Sequence, residues 1–147
     1  MLFRSQGNRN GQGTYIWPDW RQYVGKFKDG LPDGRGTMTW PDGRRYEGEW
    51  VQGRITRGTM RYTDGSTYDG GFENEIRHGE GTCTWSDGRQ YVGAFKDGVP
   101  DGRGTMTWPD GRRYEGEWVQ GRITQGTIEF PNGGTYNGEF KIGRAHV

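Results

Sequence analysis

Two pairs of glutamates, Glu47/Glu49 and Glu115/Glu117, stand two residues apart along the chain. In a β-strand that spacing puts both carboxylates on one face, and paired carboxyl groups are the machinery of glycoside hydrolysis. These pairs, however, recur with a repeat and share their face with threonines, so they read as a solvated polar surface. Glycine pairs of the form GxG occur at Gly34/Gly36, Gly79/Gly81 and Gly102/Gly104. A phosphate cradle requires a helix N-terminus directly after such glycines. Strand-like runs follow them here, which makes them turn glycines. The serines are Ser5, Ser66 and Ser86, and the single cysteine, Cys83, occupies the slot held by Met38, Met60, Met106 and Ile128 elsewhere. That is the place of a small apolar filler, not of an activated thiolate. His78 aligns with Asp33 and Asp101 in a loop, and His146 is close to the end. No base–nucleophile pair and no metal cluster is visible, so no catalytic residue, metal or cofactor is expected.

The elements that carry these residues are organised by the stretch Trp40 to Trp50, WPDGRRYEGEW, which returns unchanged at Trp108 to Trp118. Asp-Gly between alternating runs is a hairpin signal, and the preceding Pro presets a type I turn. Gly43 then suits the left-handed position that lets the second strand start in register. Tyrosines fall at Tyr23, Tyr46, Tyr68, Tyr91, Tyr114 and Tyr136, 22 or 23 residues apart. Each is followed two residues later by Gly and two further on by Phe or Trp. Preceding strands run Thr-x-x-aromatic, as from Thr37 to Trp40. A period of this length marks a repeat architecture, here six hairpin units with the last cut short. Residues 17–58 and 85–126 align at an offset of 68 with five differences, so three units were duplicated together.

Composition agrees. With 147 residues, 29 glycines and few aliphatic side chains, an ordinary two-layer core is out of reach. Disorder would require high net charge and few aromatics, whereas the chain is 14% aromatic with a net charge of +1. Tyr and Trp are therefore expected to replace the aliphatic core of a thin fold. One cysteine excludes an internal disulfide. No apolar run approaches the roughly 20 residues of a membrane span and no signal-peptide pattern opens the chain, from which a cytoplasmic location is expected. Near-neutral charge argues against nucleic acid as a partner.

The units resemble the MORN (membrane occupation and recognition nexus) repeat, approximately YxGxWxxGxxHGxGxxxxxDG, from Gly11 to about Phe140. His78-Gly79-Glu80-Gly81 shows its HGxG best. Departures are Trp20 at the turn Gly, Glu75 at a loop Gly, and the loss of one residue and the first Gly of GxG in the second and fifth units. Trp20 takes a left-handed turn less cheaply than Gly, so the first hairpin is expected to be distorted or frayed. The resemblance implies an all-β, single-layer, twisted antiparallel sheet of tandem β-hairpins, open at both ends. The array is expected to span 6–141. Residues 1–5 and 142–147 are expected to be segments foreign to it, since bases that can encode them resemble a common sequencing adapter.

Alternation puts Met38, Trp40, Tyr46, Gly48 and Trp50 on one face of their hairpin, and Glu47 and Glu49 on the other. Aromatic anchors dominate interface energetics, so a protein-binding or scaffold role is expected, with a partner helix or peptide on the aromatic face. Its candidate contacts are Trp40, Tyr46, Trp50, Trp85, Trp108, Tyr114 and Trp118, of which Trp40 and Trp108 are best placed for exposure. The alternative implied by the resemblance is an anionic-membrane or phosphoinositide targeting module of a larger protein such as a lipid kinase. It would act at the cytoplasmic face of a membrane through Arg44, Arg45, Arg112 and Arg113. Against it, an Asp stands two or three residues before each of these arginines. Open sheet edges also allow self-association.

Overall fold

The computed structural model describes the backbone of residues 4–7 and all of residues 10–140. The segments 1–3 and 142–147, assigned to foreign ends on sequence grounds, lie outside the described residues. The chain forms two compact units, Met1–Glu75 and Ile76–Val147. Unit 1 contains β1 (Arg4–Gly7), β2 (Gly11–Ile16), β3 (Gln22–Lys28), β4 (Leu31–Thr39), β5 (Arg45–Val51), β6 (Arg54–Arg61) and β7 (Thr67–Glu73). Unit 2 contains β8 (Ile76–Thr84), β9 (Gln90–Lys96), β10 (Val99–Thr107), β11 (Arg113–Val119), β12 (Arg122–Glu129) and β13 (Thr135–Glu139). Within each unit every strand pairs antiparallel with the next, and no helix occurs among the described residues. Each unit is a single-layer meander of hairpins.

Alternation is strict where the sequence demands it. Along β5 the odd positions are exposed and Tyr46, Gly48 and Trp50 are buried. Glycine faces glycine across successive strands, Gly25 to Gly36, Gly36 to Gly48 and Gly48 to Gly58 in unit 1. The row leaves a slot in which each tyrosine ring lies flat, covering its own strand's glycine and the one opposite. A Cβ on Gly36 would overlap the hydroxyl, Cε1 and Cζ of Tyr23. Tyr23, Tyr46, Tyr68, Tyr91 and Tyr114 are fully buried this way, with Cys83 beside them. Phe27, Tyr23, Trp50, Tyr46, Phe72 and Tyr68 then form an unbroken edge-to-face chain, centroids 5.1–5.5 Å apart. Such contacts contribute about 0.5–1.5 kcal/mol each beyond their area. Unit 2 repeats the series through Phe95, Tyr91, Trp118, Tyr114, Phe140 and Tyr136. A sheet with no second layer thus obtains a core from rings laid over glycine.

Two kinds of turn alternate along the chain. The Pro-Asp-Gly loops close with Trp40 N–H donating to Arg44 C=O and Gly43 N–H donating to Trp40 C=O, both 3.0 Å. Gly43 is left-handed at φ +104°. Trp20 takes the same place at φ 73° and donates to Trp17 C=O at 2.9 Å. The β2–β3 register runs without a shift from Gly11–Phe27 to Ile16–Gln22, which corrects the expectation of a distorted first hairpin. Its loop is held by hydrogen bonds that do not involve the indole, and the ring, 73% exposed, meets nothing that forbids the backbone angle. At the opposite strand ends lie two-residue turns such as Asp29-Gly30 and Gln52-Gly53, both residues left-handed, a type I′ pattern.

Gly34 and Gly102, the first glycines of two of the GxG motifs, are bulge glycines more than turn glycines. Between Gly25–Gly36 and Phe27–Pro32, β4 carries three residues against one on β3, and Gly34 sits there at φ +102°. Where the repeat is one residue shorter, the shift between Glu49–Arg57 and Trp50–Ile55 involves only Thr56. A smaller bulge needs no left-handed residue, which is why the second and fifth units dispense with the first glycine.

Candidate functional site

The aromatic face of unit 1 carries a groove of about 380 Å³. Its floor is Met38, Trp50, Ile55 and Met60, side chains that the alternation of β4, β5 and β6 turns to this face. One wall is formed at the Trp-Pro-Asp turns by Trp17 with Arg21 and Trp40 with Arg44. The other is formed at the two-residue turns by Leu31, Gly53 and Glu75. The groove therefore runs across the strands, between two rows of turns.

The first wall is a repeated three-residue device. Asp42 accepts the Arg44 backbone N–H at 3.0 Å, fixing the loop, and its other oxygen accepts Arg44 Nε–H at 3.0 Å. The guanidinium is thereby laid over the Trp40 ring, 4.7 Å from its centroid. Asp19, Arg21 and Trp17 reproduce this with a 4.9 Å separation. These hydrogen bonds, with the arginine charge, lower the carboxyl pKa of Asp19 and Asp42. The second wall is fixed by Asp33, whose carboxylate accepts the Gln52 N–H at 3.0 Å, and by Gly53 N–H donating to Pro32 C=O at 2.8 Å. Sequence reading missed the role of Asp33. A short polar side chain aligned in two long units, with Asp-Gly or Gln-Gly a fixed distance away, was the available signal.

The structure separates the seven candidate aromatics. Trp40, Trp85 and Trp108 are partly exposed beside the turns. Tyr46 and Tyr114 have no exposed area, and Trp50 and Trp118 are 3% and 5% exposed. Tyr46 is locked further by its hydroxyl, which donates within reach of both Glu49 C=O and Arg57 C=O, at 2.8 and 2.7 Å. These four rings are core, because the glycine slots that admit them also close over them; only the edge of Trp50 reaches the groove floor. Trp17, outside the expected set, belongs to the site, and its Thr-x-x-Trp context was the signal.

The arginines proposed for lipid headgroups have local partners. Arg44 and Arg112 are bound to Asp42 and Asp110. Arg45 lies 3.7 Å from Glu47, and Arg113 lies 3.8 Å from Glu115 and from Glu129. Glu49 and Glu117 pair with Arg35 and Arg103 on the exposed polar face. Among the described residues no three His, Cys, Asp or Glu side chains converge in a way that could hold a metal ion.

No curated protein matches the chain in sequence. Among solved structures it is similar to the G-box domain of the microcephaly protein CPAP, with a TM-score of 0.54 and 14% identity, over 84% of this chain and 66% of that one. The TCP10c domain of Drosophila melanogaster Sas-4 aligns with a TM-score of 0.51 and 12% identity, over 93% and 98% respectively. At such identities the likeness is one of fold. The MORN repeat pattern itself is matched at 5–20, 23–44, 46–56, 68–88, 91–112 and 114–124, well over half of the sequence. With the tyrosine–glycine slots and Asp-Gly turns found at those positions, this chain belongs to the MORN repeat family.

Proposed function

We propose that the chain is a non-catalytic protein-binding module and that its groove holds a partner segment in the polyproline II conformation. The observation that carries this reading is the spacing of the Trp17 and Trp40 walls, two strands apart along the groove. At about 4.8 Å per strand the two stations are about 9.6 Å apart. A polyproline II chain repeats every three residues with a rise of about 3.1 Å each, so it presents the same face about every 9.3 Å. A β-strand presents a face about every 6.6 Å, out of step with the walls. An α-helix returns to one face after seven residues, about 10.5 Å, but with side chains it is about 10–12 Å across. The groove volume is at the low end of the roughly 300–1,000 Å³ of small-ligand pockets, room for a few side chains.

Chemistry supports the same occupant. Aromatic-lined grooves are the usual receivers of proline-rich segments. The polyproline II backbone makes no internal hydrogen bonds, so its carbonyls are free acceptors. Arg21 and Arg44 spend Nε–H on aspartate, while a guanidinium has five donors. Their guanidiniums lie over the indoles, and on this reading the terminal N–H groups donate to partner carbonyls. The membrane alternative gains nothing from the structure, since its arginines are tied to carboxylates.

The test is selection of phage-displayed peptides with proline fixed at every third position, on the wild-type chain and on a Trp40→Ala/Trp108→Ala variant. Enrichment on the wild type alone is expected. No enrichment, or equal enrichment on the variant, overturns the proposal. Both indoles are partly exposed, so the variant is expected to fold, and circular dichroism checks that it does.

A further inference from the structure

The turn and wall contacts of the groove in unit 1 recur in unit 2, displaced by 68 residues, whereas the Trp50 Nε1–H bond to Gly36 C=O has no counterpart at Trp118 among the described residues. Arg112 lies 4.7 Å from the Trp108 centroid and Arg89 5.0 Å from that of Trp85, against 4.7 and 4.9 Å in unit 1. Asp110 and Asp87 hold those guanidiniums at 2.9 Å. On the opposite wall Asp101 accepts the Gln120 N–H at 3.0 Å, and Gly121 N–H donates to Pro100 C=O at 2.7 Å. Met106, Trp118 and Ile128 of the floor are each 5% exposed, Ile123 in the place of the buried Ile55 is half-buried, and Trp118 packs on Tyr91 at 5.1 Å just as Trp50 packs on Tyr23.

We infer that the chain carries a second binding site on the aromatic face of unit 2, with Trp85 and Trp108 as its stations, for a segment of the same polyproline II class. The inference rests on the reading of the first groove. The hydrogen-bonding groups of both walls follow from the backbone register and from side chains pinned by short contacts, and those distances recur within 0.1 Å. The ligand class must recur with them.

The two sites are not equal. Val99 replaces Leu31 on the wall, and Ile128 replaces Met60 on the floor. The wall loses one methylene of apolar contact. Unit 2 should therefore bind a given segment a few-fold more weakly.

The test is calorimetric titration with one synthetic single-motif peptide, taken from the selection on the wild-type chain. The wild type is expected to take up two peptides per chain. Trp40→Ala and Trp108→Ala should each take up one, with the tighter site lost in the former, and the double variant none. A wild type saturating at one peptide, with Trp108→Ala unchanged, overturns the second site while leaving the first standing. If no selected peptide binds at all, the reading of the first groove fails, and this inference fails with it.

Discussion

Gly36→Ala tests the physical basis of the fold, that each tyrosine ring fills a space only glycine can leave. The added Cβ would overlap three atoms of the Tyr23 ring, not the tip of a mobile chain. That ring cannot swing away. It is fully buried, wedged edge-on between Phe27 and Trp50 at 5.1 Å each, and its hydroxyl donates to Lys26 C=O at 2.7 Å. Overpacking a close-packed core costs about 1–3 kcal/mol, occasionally more, and this site has no slack, so about 3 kcal/mol is expected. For a chain of this size that lowers the thermal midpoint by roughly 10 °C. Gly43→Ala is the control, because Gly43 is left-handed but has nothing within 4 Å of its missing Cβ. Its cost is conformational alone, about 1 kcal/mol. Urea unfolding followed by near-ultraviolet circular dichroism measures both. Shrinking the ring in a Gly36→Ala/Tyr23→Leu double variant should recover part of the loss, giving a coupling of at least about 1 kcal/mol. Equal costs for Gly36→Ala and Gly43→Ala, or additive costs in the double variant, would refute the slot argument.

Three further outcomes follow. Trp50 Nε1–H donates to Gly36 C=O at 3.2 Å, whereas Trp118 Nε1 is buried with no partner among the described residues; Trp50→Phe should therefore cost about 1 kcal/mol more than Trp118→Phe, read by the same urea unfolding. Burial, then the nearby Asp33 and Glu49 charges, push Tyr23 up to about 12, and burial raises Tyr46, Tyr91 and Tyr114 as well. The unfolded chain ionises its tyrosines near the ordinary value of about 10, so stability should hold up to that pH and fall progressively from there to about 12. Phenolate absorbance should lag accordingly in the folded protein, and free titration of all tyrosines near pH 10 before unfolding would contradict the burial. Sedimentation with anionic phosphoinositide vesicles should leave the protein in the supernatant, since Arg44, Arg45, Arg112 and Arg113 already have carboxylate partners; salt-sensitive pelleting lost on Arg45→Ala/Arg113→Ala would revive the membrane reading.

The sequence by itself determined the hairpin units, their period, their Pro-Asp-Gly turns and the assignment of faces. The physical reason is that these depend on local rules: a side-chain period of two, Asp-Gly chemistry, and a Tyr-x-Gly-x-aromatic pattern repeated until chance is excluded. It pointed to Trp40 and Trp108 as the accessible rings and to aspartate as the partner of Arg44 and Arg112, because those contacts join residues two to four apart, but not to the glutamates beside Arg45 and Arg113. It did not distinguish Tyr46 and Trp50 from Trp40, although all three lie on one face. Which ring on a shared face is covered depends on what the neighbouring strands place above it, and Tyr46 is closed in by Gly48, Gly58, Trp50 and Phe72. Nor did it foresee that Trp20 would hold a left-handed turn, because the cost of that backbone angle is offset by loop hydrogen bonds and by open space around the indole. The groove was illegible for the same reason. Its floor comes from β4, β5 and β6 and its walls from turns at opposite strand ends, and only pairing in register brings them to one surface. Repetition wrote the strand into the sequence, and the sheet decided which of its side chains a partner can reach.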